Sequence, residues 1–98
     1  MSYRVRFTEE AQGDLVRCFE ALLVHDHSAA ERALAAIGKA VELLKDFPYA
    51  CRKADEADPF LRELLIGFGN AGYVALFEIS GSDVHVLAMR HQREDDYY

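Results

Sequence analysis

A chain of 98 residues, 51% of them hydrophobic, suits one compact domain over residues 1–98 and leaves little room for a second or for a deep substrate cavity. Its 29% charged residues and the lack of any apolar run near bilayer length exclude a membrane-spanning helical protein. A formal net charge of −6 and a pI near 5.1 argue against a broad, phosphate-led nucleic-acid surface, but leave room for a small basic site on an acidic body.

The N-terminal stretch "MSYRVRF" has no apolar signal core, so the expected location is cytoplasmic. Within it, residues 3–7 alternate large apolar and basic side chains, the pattern of a half-buried strand. Thr8 offers an N-cap, and Glu9 and Glu10 suit the positive end of a helix. Ala11, Leu15, Cys18, Phe19, Leu22 and Leu23 then recur at spacings of three and four, an apolar stripe that predicts a helix over 8–25. "HDHS" breaks it. Ser28 and Glu31 form an S-x-x-E capping box ahead of a second stripe: Ala30, Ala33, Leu34, Ile37, Val41, Leu44 and Phe47. Pro48 disfavours helical geometry at Phe47, so the second helix is expected over 29–46.

"PYACRKADEADP" reads as a polar loop bounded by prolines. After it the pattern turns β-rich: 60–68, 73–79 and 84–91, joined by "GNAG" and "SGSD", the short glycine-containing links of a hairpin meander. "YVALFEI" is apolar on both faces apart from Glu78, which suits a central strand. The expected class is α+β, in the order β-α-α-β-β-β. A helical hairpin covers one face of a small antiparallel sheet of about four strands, and the other face is left for solvent or a partner.

The candidate chemistry lies in the β half. Arg62, Arg90, His91 and Arg93 could converge on one sheet edge or face if their strands are neighbours. His91 could act as a general acid or base, and Tyr97 or Tyr98 could stack on a base or orient a phosphate. The competing reading is that Arg90 and Arg93 pair with Glu94, Asp95 or Asp96, surface pairs that imply nothing about catalysis. Cys18 and Cys51 belong to no CxxC and have no His or Cys at ligand spacing, so free thiols and no metal site are expected. His25-x-His27 is a weak metal signal in a turn. No cofactor motif is present.

The whole-chain layout resembles the RelE/ParE superfamily of toxins from bacterial type II toxin–antitoxin modules. The resemblance rests on "VRFTEEAQGDL" opening the hairpin, "FP" closing it, "LRELLIGFGNAGYVALFEI", and the terminal "VHVLAMRHQREDDYY". It implies the fold reached above. It also implies one of two activities: ribosome-dependent mRNA cleavage, as in RelE-like members, or inhibition of DNA gyrase, as in ParE-like members. Arg62 falls near a position where RelE carries a lysine, and Tyr97 falls at its late tyrosine. His91 stands where RelE has a catalytic arginine, and Val74 where it has another. Losing those two cations removes charge stabilisation from a scissile phosphate, and "RHQRED" resembles the ParE-like ending more closely. The expectation is therefore a ParE-like gyrase inhibitor that does not itself bind DNA and is neutralised by a cognate antitoxin. Arg62, Arg90 and Arg93 would form its partner surface. The alternatives are an endoribonuclease acting on mRNA at the ribosome, with His91, Tyr97 and Arg62 as its catalytic residues, or an inactive toxin-derived scaffold.

Overall fold

The computed structural model describes residues 2–69 and 71–92. Arg93 and Tyr97, both singled out from the sequence, lie outside the described residues. Strand β1 (Arg4–Phe7) leads into helices α1 (Glu9–Leu23) and α2 (His27–Leu43); strands β2 (Arg52–Asp55), β3 (Asp58–Phe68), β4 (Ala71–Ser80) and β5 (Asp83–His91) follow. They form one five-stranded sheet in the order β1-β5-β4-β3-β2. The expected α+β class and helical hairpin are present. The sheet itself is mixed, because β1 runs parallel to β5 with Val5 opposite Val84. That pairing places the first strand beside the last, which no local pattern can announce.

The caps show which local signals prevailed. Thr8 caps α1 as expected, its hydroxyl accepting from the Ala11 N–H at 3.1 Å. The Ser28–Glu31 box does not form. Asp26 caps α2 instead, its carboxylate accepting from the N–H groups of Ser28 at 3.0 Å and Ala29 at 3.2 Å. A carboxylate at the helix N-terminus satisfies two orphan amides and complements the macrodipole, which a serine hydroxyl does less well. Ser28 lies inside the helix, where its hydroxyl accepts from Arg32 at 2.9 Å.

Residues 48–59 hold more order than their polar composition predicts. Pro48–Ala50 make a 3-10 turn, and β2 pairs with β3 through Arg52–Glu63 and Lys53–Arg62. Asp55 and Asp58 turn the chain between the two strands, accepting from the N–H groups of Ala57 and Phe60. At the β3–β4 hairpin, Gly72 has φ +142°, and a Cβ there would lie 2.0 Å from the Ile66 carbonyl oxygen. Only glycine fits that approach.

The core lies between the hairpin and one face of the sheet. Ala11, Cys18, Ala33, Ile37 and Leu44 meet Leu64, Ile66, Tyr73, Ala75, Phe77, Ile79, Val84, Val86 and Met89, all buried. Phe47, placed on the helical stripe by its spacing, is 61% exposed, because α2 has already ended and its backbone is no longer helical (φ −133°, ψ 53°). No helix among the described residues is long and apolar enough to cross a membrane.

Candidate functional site

Side chains alternate across a strand, so the residues between the buried ones point away from the helices. On β3 and β4 these are Glu63, Leu65, Val74 and Leu76, in the register Glu63–Leu76 and Leu65–Val74. On β1 they are Arg4 and Arg6, and on β2 Arg52, which sits opposite Glu63.

β5 breaks the alternation. Leu76 faces Ala88 and Phe77 faces Val86, so Leu87 is an extra residue, a β-bulge. The bulge shifts the inward positions from Val84 and Val86 to Met89, which is fully buried. Arg90 consequently pairs with Val74 on the open face. Without the bulge Arg90 would share the face of Val84 and Val86, in the apolar interior.

A shallow hollow of about 330 Å³ results, bordered by Arg52, Glu63, Leu65, Val74, Arg90 and the strand end at His91 and Gln92. Its charges are mixed. Arg52 Nε donates to Glu63 Oε1 at 2.9 Å across the strands, and at the far edge Arg4 pairs with Asp83 at 3.0 Å. In both pairs the arginine is well exposed and the carboxylate partly so, and such surface pairs stabilise a fold little. They do moderate the positive field that the face would offer a phosphate backbone.

The sequence-derived residues do not all meet here. Arg62 projects to the other side of the sheet, where its guanidinium closes the 48–51 turn against β3. It donates to the carbonyls of Cys51 at 2.8 Å, Pro59 at 2.8 Å and Tyr49 at 3.3 Å, and lies over the Tyr49 ring at 5.3 Å. His91 stands opposite Tyr73, its ring edge-on at 5.3 Å. The cluster imagined from the sequence is therefore divided by the sheet, with Arg90 on one side and Arg62 on the other. Arg6 and Arg52 join the open face although neither was proposed for a site. The strict alternation of "YRVRF" was the available signal for Arg6, whereas Arg52 lay in a stretch that reads as loop.

Cys51 is buried beside Arg62. Burial pushes its thiol above the usual range, and the Arg62 charge offsets part of that rise. A thiol so placed is a poor nucleophile. His25 and His27 are exposed at the interhelical turn, His27 Nδ1 lying 3.9 Å from Glu31 Oε2.

Comparison with known proteins agrees with this architecture. Residues 5–96 match the family model described as the ParE toxin of the type II toxin–antitoxin system parDE. The chain is 31% identical to Toxin RelE1 of Caulobacter vibrioides over 94 residues, covering 96% of this chain and 98% of that one. Its fold is similar to a chain from the chromosomal ParDE toxin–antitoxin system of P. aeruginosa, with a TM-score of 0.75 and 20% identity, over 92% of this chain and 96% of that one. A match over nearly the whole length, on a helical hairpin packed against a small sheet, means that the chain belongs to the ParE toxin family of type II toxin–antitoxin systems.

Proposed function

We propose that this toxin acts by binding and inhibiting DNA gyrase, without cutting RNA, and that a cognate antitoxin neutralises it. The observation that carries this reading is Val74. It occupies the middle of the open face between Leu65 and Arg90, at the position where the resemblance puts an arginine in RelE-type ribonucleases. It offers methyl groups where a ribonuclease would supply charge to the scissile phosphate. Arg62, the arginine proposed for cleavage, is engaged with backbone carbonyls on the opposite side of the sheet. An apolar centre with arginines at its margins suits protein recognition.

The antitoxin has a fitting surface on the adjoining edge. A groove of about 410 Å³ runs between α2 and β3, with Ala36, Ala40, Leu43, Leu65 and Ile66 along it and Lys39 at its side. Leu43 and Leu65 are 43% and 49% exposed there. β2 accompanies β3 only as far as the Arg52–Glu63 pair, so the β3 edge over 64–68 extends beyond it. A short amphipathic segment that lays a helix in the groove or adds a strand to that edge would cover the exposed apolar surface.

The test uses purified toxin in two assays run together: gyrase supercoiling and translation-dependent mRNA cleavage. Supercoiling should be inhibited, and mRNA should stay intact. In cells lacking antitoxin, Arg90→Glu should relieve growth arrest through charge reversal at the partner surface, while Tyr97→Phe should not. Loss of toxicity in Tyr97→Phe together with loss of mRNA cleavage would restore the ribonuclease reading, in which His91 and Tyr97 act.

A further inference from the structure

The bulge that turns Arg90 outward is held from the side by α1. β1 ends at Phe7, so among the described residues no strand lies beside the outer edge of β5 beyond Val86. Side chains take the place of that strand. The Met89 N–H donates to Asp14 Oδ2 at 3.0 Å, and Arg17 Nη2 donates to the Met89 carbonyl at 3.4 Å. Asp14 Oδ1 and Arg17 Nη2 lie 3.8 Å apart, one turn along the helix. Just before the bulge, the Thr8 hydroxyl shares its proton between the carbonyls of Val86 at 3.1 Å and Leu87 at 3.4 Å. The backbone polar groups on either side of the extra residue thus have partners from α1 or its cap.

We propose that Asp14 and Arg17 are positioning residues: by holding the β5 bulge they aim Arg90 at the open face, and so set the toxin's target-binding surface. The reason is a competition of registers. Strand β5 without its bulge would pair with β4 in full and leave no residue unpaired. It would also send Met89 to solvent and Arg90 into the apolar layer, since a one-residue slip exchanges the two faces of a strand. Met89 is fully buried in the bulged register, and a carboxylate on the helix accepts its edge N–H. Asp14 and Arg17 bind the backbone of Met89 just past the extra residue, and the buried Met89 side chain selects which residue stands there. The two act together: the hydrogen bonds fix the edge of the strand at the bulge, and the burial of Met89 makes a slip of register costly.

This inference rests on the reading of Arg90 as part of the target-binding face, and the experiment separates the two. Toxicity is titrated against toxin abundance for wild type, Arg90→Ala, Asp14→Ala and the double variant. Amide exchange at Met89 and Leu87 is followed in the same proteins. Arg90→Ala should raise the abundance needed for growth arrest about tenfold, the effect of one interface arginine. Asp14→Ala should raise it similarly and speed Met89 exchange, and the double variant should be no worse than Arg90→Ala. Asp14→Asn, which keeps an acceptor for the Met89 N–H, should stay close to wild type. Should Asp14→Ala fail to fold, Arg17→Ala takes its place in the same cycle. If Arg90→Ala remains fully toxic, the reading of the open face fails. If Arg90→Ala loses toxicity but Asp14→Ala does not, or if their effects multiply, the positioning role alone is overturned.

Discussion

Replacing Arg62 with alanine perturbs one side chain that ties three backbone carbonyls and an aromatic ring together. The bond to the Cys51 carbonyl is short and partly shielded from solvent, while those to Pro59 and Tyr49 are exposed. A charge-assisted bond in partial shelter contributes about 1.5 kcal/mol, and the exposed bonds and the cation–π contact add at the low end of their ranges, so the total is about 2–3 kcal/mol. In a domain of this size that lowers the melting temperature by roughly 10–20 °C. Lysine at this position keeps the charge but not the planar fork, and should recover less than half of the loss. Urea and thermal melts of the wild type, Arg62→Ala and Arg62→Lys measure it directly. A loss under about 0.5 kcal/mol for Arg62→Ala would refute the reasoning. If that stable variant also failed to bind antitoxin, Arg62 would be a direct partner contact in place of a clamp on the 48–51 turn.

Leu44 is fully buried where α2 ends, so Leu44→Ala should destabilise by roughly 2–5 kcal/mol in a chemical melt, and a loss below about 1 kcal/mol would mean that this face repacks freely. Gly72→Ala should cost roughly 3 kcal/mol or more, because its Cβ would meet the Ile66 carbonyl at a backbone angle that L-residues rarely adopt; an unchanged melt would contradict the β3–β4 hairpin geometry. The Cys51 thiol should alkylate more slowly than a free cysteine at mildly alkaline pH, since burial raises its pKa and thiolate forms only at higher pH. Removing Arg62 takes away the charge that lowers that pKa, so alkylation of the still-folded variant should slow further; site-resolved mass mapping separates it from Cys18.

Much of the fold was legible in the residues. Stripes at spacings of three and four marked both helices, Thr8 marked the first start, and Phe47–Pro48 marked the second stop to within three residues, α2 ending at Leu43, because these signals act within a turn or two of chain. The three β-rich runs and their glycine links were legible for the same reason. Even the helix caps carried a conflict between neighbours, Asp26 against Ser28, that only the formed helix resolved in favour of the carboxylate.

What tertiary structure alone decided were the features that depend on residues far apart in sequence. β1 lies parallel to β5 across more than 70 residues of intervening chain, and β2 becomes a strand because β3 offers it an edge. The direction of Arg90 depends on a single extra residue at Leu87. That bulge is stabilised by Asp14 and Arg17, about 70 positions upstream, and by the depth at which Met89 is buried. Period-two alternation within "VHVLAMRH" sets only relative faces, and one bulge reverses them from that point on. Residue types therefore carried the family and its elements, whereas the composition of the open face had to await the packing of α1 against the edge of β5.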